Sequence, residues 1–504
     1  MASKRLATTA TAALLSTLGT IGTVACAASS GESVPAGSSA VNSTANSTAN
    51  STLSGPSASP LSSSAADNKA RPGAPGIGDP DFPTDGNGGY DVDHYLLKLG
   101  YTPSSKHLAG TARIEARATQ HLASFNLDLS GFTVSRVTVD GRPARFDRAG
   151  SELTVTPAES IPDDATFAVE VAYAGEPKPV RNSSNLGTYG FIPTRDGAFV
   201  TGQPNGAKTW FPSNDHPADK ARYDFELTVP AGLTALANGE LVGEPRTVGG
   251  RTTFRWRESH PMASYLATMT LGRFEVLQGK TPGGLKNLAA VDPIFRGSLR
   301  RLYDVSGKVT DYWSTLFGPY PFSSTGGVVD DFPAGYALEN QTKPMYGGFA
   351  PDDDIIAHEL AHQWFGDSLS IKRWKDLWLN EGFATYAEWL WSEHEGRSTT
   401  EQLFRRNYAA AADAPIWSYA PGRARPEDLF NNSVYTRGGM TLHALRQRIG
   451  DPAFFKLLKQ WVATHKYGSV TTPEFIAMAE KISGKNLEAL FDAWLFTAEK
   501  PSTW

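Results

Sequence analysis

The chain has 504 residues, 40% of them hydrophobic, enough for two or three domains with buried cores. A net charge of −5 leaves no basic footprint for nucleic acid and no polybasic anchor for anionic lipid. The chain has one cysteine, Cys26, so no disulfide can form within it.

Residues 1–27 read as an export signal. Lys4 and Arg5 precede an uncharged, moderately apolar run, Leu6 to Ala25, too interrupted by Thr and Gly to span a membrane stably. Thr23-Val24-Ala25-Cys26 resembles a permissive lipoprotein box, with Cys26 lipidated as a membrane anchor, whereas Ala25-Cys26-Ala27 fits ordinary cleavage and release. Lipidation is the favoured expectation, because the unique cysteine is followed by a long tether: a cell-surface lipoprotein, with free secretion as the alternative. Residues 28–87 are rich in Ser, Ala, Gly, Pro, Asn and Thr, with Asn-Ser-Thr-Ala recurring from Asn42, a composition that cannot build a core.

From residue 88 to 278, short alternating segments rich in Val, Thr, Phe and Tyr are broken by Gly, Pro, Asp and Asn, predicting an all-β domain. Residues 279–504 change pattern. Helices are expected at Leu299 to Phe317, Gly438 to Ile449, Pro452 to His465 and Pro473 to Ile482, with strands between Gly326 and Gln341, making an α+β domain. Trp364, Trp374, Trp378, Trp389 and Trp391 fall at helical positions, where core packing is expected.

Within that second domain, His358-Glu-Leu-Ala-His362 is followed after an eighteen-residue gap by Glu381. Residues four apart share a helix face, so both imidazoles can reach one cation. Pro351 and the acidic run Asp352, Asp353 and Asp354 favour a helix start, and Gly366 a stop, so the pentapeptide is expected mid-helix. A second helix, about Lys375 to Glu395, would present Glu381 as the third ligand. His, His and Glu make one of the sets that leaves zinc an open position, and Glu359 beside them suits a general base. One zinc per chain is expected.

The pentapeptide, the gap and Asp376-Leu-Trp-Leu-Asn-Glu-Gly-Phe-Ala-Thr-Tyr-Ala-Glu388 together resemble the gluzincin aminopeptidases of family M1, the group that includes aminopeptidase N and leukotriene A4 hydrolase. Phe211-Pro-Ser-Asn-Asp-His-Pro-Ala-Asp-Lys-Ala221, Met262-Ala-Ser-Tyr-Leu266 and Ala337-Leu-Glu-Asn340 are also similar to segments of that family, so the likeness runs over about residues 88 to 500. It implies a saddle- or sandwich-like first domain and a thermolysin-like second domain; because the chain ends near Trp494, where the family's catalytic domain ends, the family's large C-terminal helical domain is expected to be missing and the site more open.

The resemblance further implies a role for Tyr435 as donor to the oxyanion and for Glu339 as the carboxylate that binds the substrate's free α-amine. Gln203 would contact the first substrate residue, and Ala337, Leu338 and Asn340 would line the peptide, whose backbone can add to the strand. Two features depart from the family pattern: Tyr336 stands for a glycine, although Gly335 precedes it, and the acidic or amide position two beyond Gln203 is Asn205, in a shortened segment. The expected function is a monomeric zinc aminopeptidase acting on peptides with a free N-terminus. A zinc endopeptidase with the same centre, or an inactive surface-tethered peptide-binding module, is the alternative.

Overall fold

The computed structural model of the chain describes residues 69–182 and 186–502. The export signal, Cys26 and most of the tether lie outside the described residues. Among those described, no helix is long and apolar enough to cross a membrane.

The first half is built on a nine-stranded sheet whose centre is formed by Arg251–Ala263, Lys220–Pro230, Tyr90–Thr102, His107–Ala118 and Thr166–Gly175. Tyr90–Thr102 buries Tyr90, Val92, Tyr95, Leu97, Leu99 and Tyr101. Residues of one face recur every second position, and a register shift between Val92 and His94 explains why the phase changes before Tyr95. This strand runs antiparallel to His107–Ala118 but parallel to Lys220–Pro230, where Tyr95 faces Tyr223 and their rings stack at 4.8 Å. A five-stranded and a four-stranded sheet complete this half.

The second half carries a five-stranded sheet in the order Glu275–Lys280, Lys286–Val291, Ser324–Asp330, Met345–Gly347, Ala337–Leu338. The expected boundary at 278/279 therefore shifts: it cuts a strand whose partner, Lys286–Val291, assigns it to the second sheet. The last strand, Ala337–Leu338, sits at the edge and pairs on one side only, with Met345–Gly347. Helices span Leu299–Phe317, Gly438–Ile449, Asp451–His465 and Thr472–Ser483. The five tryptophans noted above are buried in the core.

The tether does not extend to residue 87. Arg71–Pro72 pairs in parallel with Leu122–Asp128, and Asp79, Asp85 and Asn87 are buried. This segment lacks apolar residues for a core of its own, but polar side chains pin it to the rest: the amide of Trp374 donates to Asp79 Oδ2 at 2.9 Å, and Asn87 Nδ2 to Asp128 Oδ2 at 3.1 Å.

Hydrogen bonds also join the two halves directly. Lys220 Nζ donates to the carbonyls of Asp367 (2.7 Å) and Ser368 (2.9 Å), in the loop leaving the His358 helix. Asn238 Nδ2 donates to Leu266 O and Gln341 O at 2.9 and 2.8 Å.

Candidate active site

The first helix of the site is Asp353–Ala361. Asp352 caps it, accepting from the amides of Asp354 and Ile355, and its carboxylate suits the positive end of the helix. The pentapeptide closes this helix, whose regular turns end at Ala361, and does not sit mid-helix as expected. His362 is the C-cap, and the chain then winds through wider turns in which Asp367 N bonds His362 O, before Gly366 turns it at φ 140. The carbonyl of Phe365, freed in this turn, accepts from His362 Nδ1 at 3.0 Å.

Glu381 comes from the helix Trp378–His394, preceded by a short turn at Trp374–Asp376. Its Oε2 lies 3.3 Å from Nε2 of His358 and 3.3 Å from Nε2 of His362. All three residues are buried, and their ligand atoms lie within 4.8 Å of one another. His358 Nδ1 donates to Glu388 Oε1 at 2.5 Å. Each imidazole thus spends its Nδ1 proton on an acceptor and turns Nε2 toward one carboxylate oxygen, the arrangement that a shared cation requires.

The local field has the same character. Burial opposes charge on Glu381, yet His362 and His358 hold its carboxyl down to about 2. Burial likewise opposes protonation of His362, but Glu381 and Glu339 lift it to about 9. Glu359 is pushed up to about 8 by burial, with Glu339 and Glu381 adding to the shift against the two imidazoles. A pocket holding this many carboxyls around two imidazoles favours positive charge, and a divalent metal fits it.

Glu339 stands on the other side of the cluster. A ligand atom from each of Glu339, Glu359 and His362 also falls within 4.8 Å of the others. Gln203 Nε2 and the Tyr265 hydroxyl donate to Glu339 Oε1 at 3.1 and 3.0 Å, and burial raises the pKa of this carboxyl. Leu338 is buried and Ala337 half-buried on the edge strand. Asn340 is fully buried, and its Nδ2 donates to Leu266 O at 2.8 Å, so its side chain ties the strand to the first half. Asn205 does not face the amine carboxylate. Its Nδ2 donates to Asp85 Oδ2 at 2.5 Å and its Oδ1 accepts from Tyr189 at 2.8 Å. Tyr336 turns its hydroxyl to Thr201 and to the carbonyl of Thr188, each at 2.8 Å.

Tyr435 lies on a π-helical turn, Ser433–Arg437, that leads into Gly438–Ile449. Its ring runs nearly parallel to that of His358, 19° apart, with centroids separated by 6.2 Å. This approach depends on two glycines. A Cβ on Gly382 would come within 2.8 Å of the Gly438 carbonyl carbon, and one on Gly438 within 2.8 Å of Gly382 Cα. The helix carrying Glu381 and the start of the helix that follows the Tyr435 turn can touch backbone to backbone only because neither residue has a side chain. Burial and the carboxylates of Glu381, Glu339 and Glu359 hold the tyrosine hydroxyl well above its ordinary pKa, so it is a neutral donor.

Residues 91–266 match the family model of the peptidase M1 N-terminal domain, and residues 351–494 that of the peptidase family M1 domain. The chain belongs to peptidase family M1. Among curated M1 relatives, Probable aminopeptidase 2 of Sulfurisphaera tokodaii is 27% identical over 80% of this chain and 53% of its own length. Aminopeptidase M1 of Arabidopsis thaliana is 28% identical over 58% of the chain and 36% of its own. The chain thus spans about half, or less, of the length of these relatives. Solved M1 structures match more completely. The M1 zinc metallopeptidase from Deinococcus radiodurans shares 28% identity at a TM-score of 0.75, with 83% of this chain and 96% of that one covered. A mutant of it bound to a Tyr-Ser-Ala substrate aligns at a TM-score of 0.76 and 27% identity, over 85% of this chain and all of that one.

Three residues in or beside this M1 site escaped the sequence reading. Glu388 was detectable, being seven residues, two helical turns, beyond Glu381. Tyr265 reaches Glu339 over 74 residues of chain, and Asp85 reaches Asn205, beside the site and not in it, over 120; no local pattern announces such contacts.

Proposed function

We propose that this chain is a zinc-dependent aminopeptidase that removes residues from the N-terminus of peptides, holding one zinc per chain on His358, His362 and Glu381. The observation that carries this reading is the position of Glu339. In an N-terminal residue the α-amine and the carbonyl carbon are about 2.5 Å apart, so a carboxylate that holds the amine must lie within one residue's reach of the catalytic base. Glu339 and Glu359 meet that condition.

Zinc, when bound, polarises the scissile carbonyl and lowers the pKa of water. The chain's own residues supply the remainder. Gln203 and Tyr265 hold Glu339 through Oε1, which leaves Oε2 for the substrate ammonium. That cation offsets the burial that raises this carboxyl. Glu359 accepts the proton of the attacking water and delivers it to the leaving amine. Tyr435, a neutral donor, hydrogen-bonds the oxyanion as it develops. The free edge of Ala337–Leu338 offers its backbone to the extended peptide. Asn205 takes no part in binding the amine, because both ends of its amide are engaged.

The test compares free and N-acetylated aminoacyl fluorogenic substrates, with and without chelator. Losing a partly desolvated charge pair predicts discrimination of roughly 10²-fold or more in favour of free amines. Glu339→Ala should erase most of that difference. Equal cleavage of acetylated peptides at internal bonds would replace this reading with the endopeptidase. No zinc-dependent turnover of either class would leave the peptide-binding module.

We also propose that the chain is exported and lipidated at Cys26, and that it acts as a monomer. The unique cysteine and the low-complexity stretch behind it support the anchor. Mass spectrometry of the mature N-terminus tests this: a protein beginning at Ala28 and found free in the medium excludes it. Sedimentation of the mature protein tests the monomer.

A further inference from the structure

Arg437 is fully buried, yet no carboxylate among the described residues pairs with it. Its five N–H groups instead donate to main-chain carbonyls. Nε bonds Trp494 O at 2.9 Å; Nη1 bonds Trp417 O and Tyr419 O at 3.1 and 3.2 Å; Nη2 bonds Ala493 O and Thr497 O at 2.9 and 2.5 Å. The guanidinium also lies over the Trp417 ring, 5.7 Å from its centroid. A guanidinium presents its donors in a fixed planar fork, so five simultaneous acceptors fix its position and orientation. Burial without a counter-charge is costly, and it lowers the pKa of this group to about 10.

The acceptors come from two places. Trp417 and Tyr419 lie before the catalytic turn, while Ala493, Trp494 and Thr497 belong to or follow a second π-helical turn, Asp492–Phe496. Arg437 is the last residue of the turn that carries Tyr435. We propose that Arg437 is a positioning residue for Tyr435: it clamps the Ser433–Arg437 turn to the C-terminal turn Asp492–Phe496 and so sets where the tyrosine hydroxyl stands in the transition state. The C-terminal turn thereby contributes to catalysis without touching substrate. This rests on the catalytic role of Tyr435 proposed above, and the test separates the two.

Arg437→Lys keeps the charge but cannot reach five acceptors. It is compared with Tyr435→Phe and with the double variant for zinc content, KM and kcat. The expected result for Arg437→Lys is full zinc, KM within about twofold and kcat lowered about tenfold, with no further loss when it is added to Tyr435→Phe, since residues acting as a unit are not additive. If the two losses multiply, or if zinc content or KM moves instead of kcat, Arg437 is only a packing residue and the proposal falls. If Tyr435→Phe alone is fully active, the role of Tyr435 fails and the clamp has nothing to position. Should Arg437→Lys not fold, Ala493→Gly loosens the same carbonyl shelf with every charged group kept. It should show the same kcat loss, smaller, that vanishes in the Tyr435→Phe background, and unchanged kcat overturns the clamp.

Discussion

His358 donates its Nδ1 proton to Glu388 across 2.5 Å, and Glu388 stands two turns beyond Glu381 on the same helix. One element thus supplies both a carboxylate that faces Nε2 of His358 and one that fixes its tautomer. Such partners orient ligands and raise their basicity. Glu388→Gln is therefore expected to weaken zinc binding by about 10- to 100-fold, while kcat at saturating zinc stays within a few-fold. Chelator-competition titration beside steady-state kinetics measures both quantities. Unchanged affinity would make the contact incidental.

Glu359 is a buried carboxyl beside the ligand set and outside it, with its ligand atom within 4.8 Å of those of His362 and Glu339. Replacing it by Gln keeps its volume and removes only proton transfer, so zinc content should remain near that of the wild type while kcat falls by at least about 10²-fold. Metal analysis and turnover on one preparation decide this, and near-normal turnover would assign the base elsewhere.

Stability should depend on pH in opposite ways with and without metal. In the metal-free protein Glu359 is raised to about 8 and His362 to about 9. Both groups bind protons more tightly folded than unfolded. Their contribution is complete below the unfolded values, 4.5 and 6.5, and is lost as pH rises through about 8 and 9. Apo-protein is expected to lose several degrees of Tm between pH 6 and pH 9 relative to zinc-loaded protein, in which the metal takes the place of the His362 proton and its charge keeps Glu359 ionised. Calorimetry of both forms checks this, and a gap that narrows with rising pH would contradict it.

Gly382→Ala places a methyl group where the Gly438 carbonyl carbon lies 2.8 Å away. Both partners are backbone, so the strain cannot be relieved by a rotamer change, and a cost of about 1–3 kcal/mol is expected. Turnover should fall with it, since the strain separates Glu381 from the Tyr435 turn. Denaturant unfolding with parallel kinetics provides the measurement. Wild-type stability would show that the crossing is looser than the backbone positions indicate.

What the sequence determined by itself is what local chemistry encodes. Helical spacing put His358 and His362 on one face, the acidic run before them marked the start of their helix, and apolar periodicity marked the helix at Gly438–Ile449. Alternation identified the strands of the first half, and composition identified the low-complexity N-terminal region. Composition misjudged only where that region stops, because residues 69–87 are fixed by Asp79, Asp85 and Asn87 bonding to distant partners and by Phe82 packing on Trp374, not by a core of their own. The tertiary structure alone decided which far-separated groups meet: Gln203 and Tyr265 on Glu339, Asp85 on Asn205, the carbonyls of Trp417, Tyr419, Ala493, Trp494 and Thr497 on Arg437. Periodicity reports which face of an element is buried. Which polar atoms converge within that buried space depends on strand order and chain crossing, and these are settled only when the whole sheet closes its hydrogen bonds.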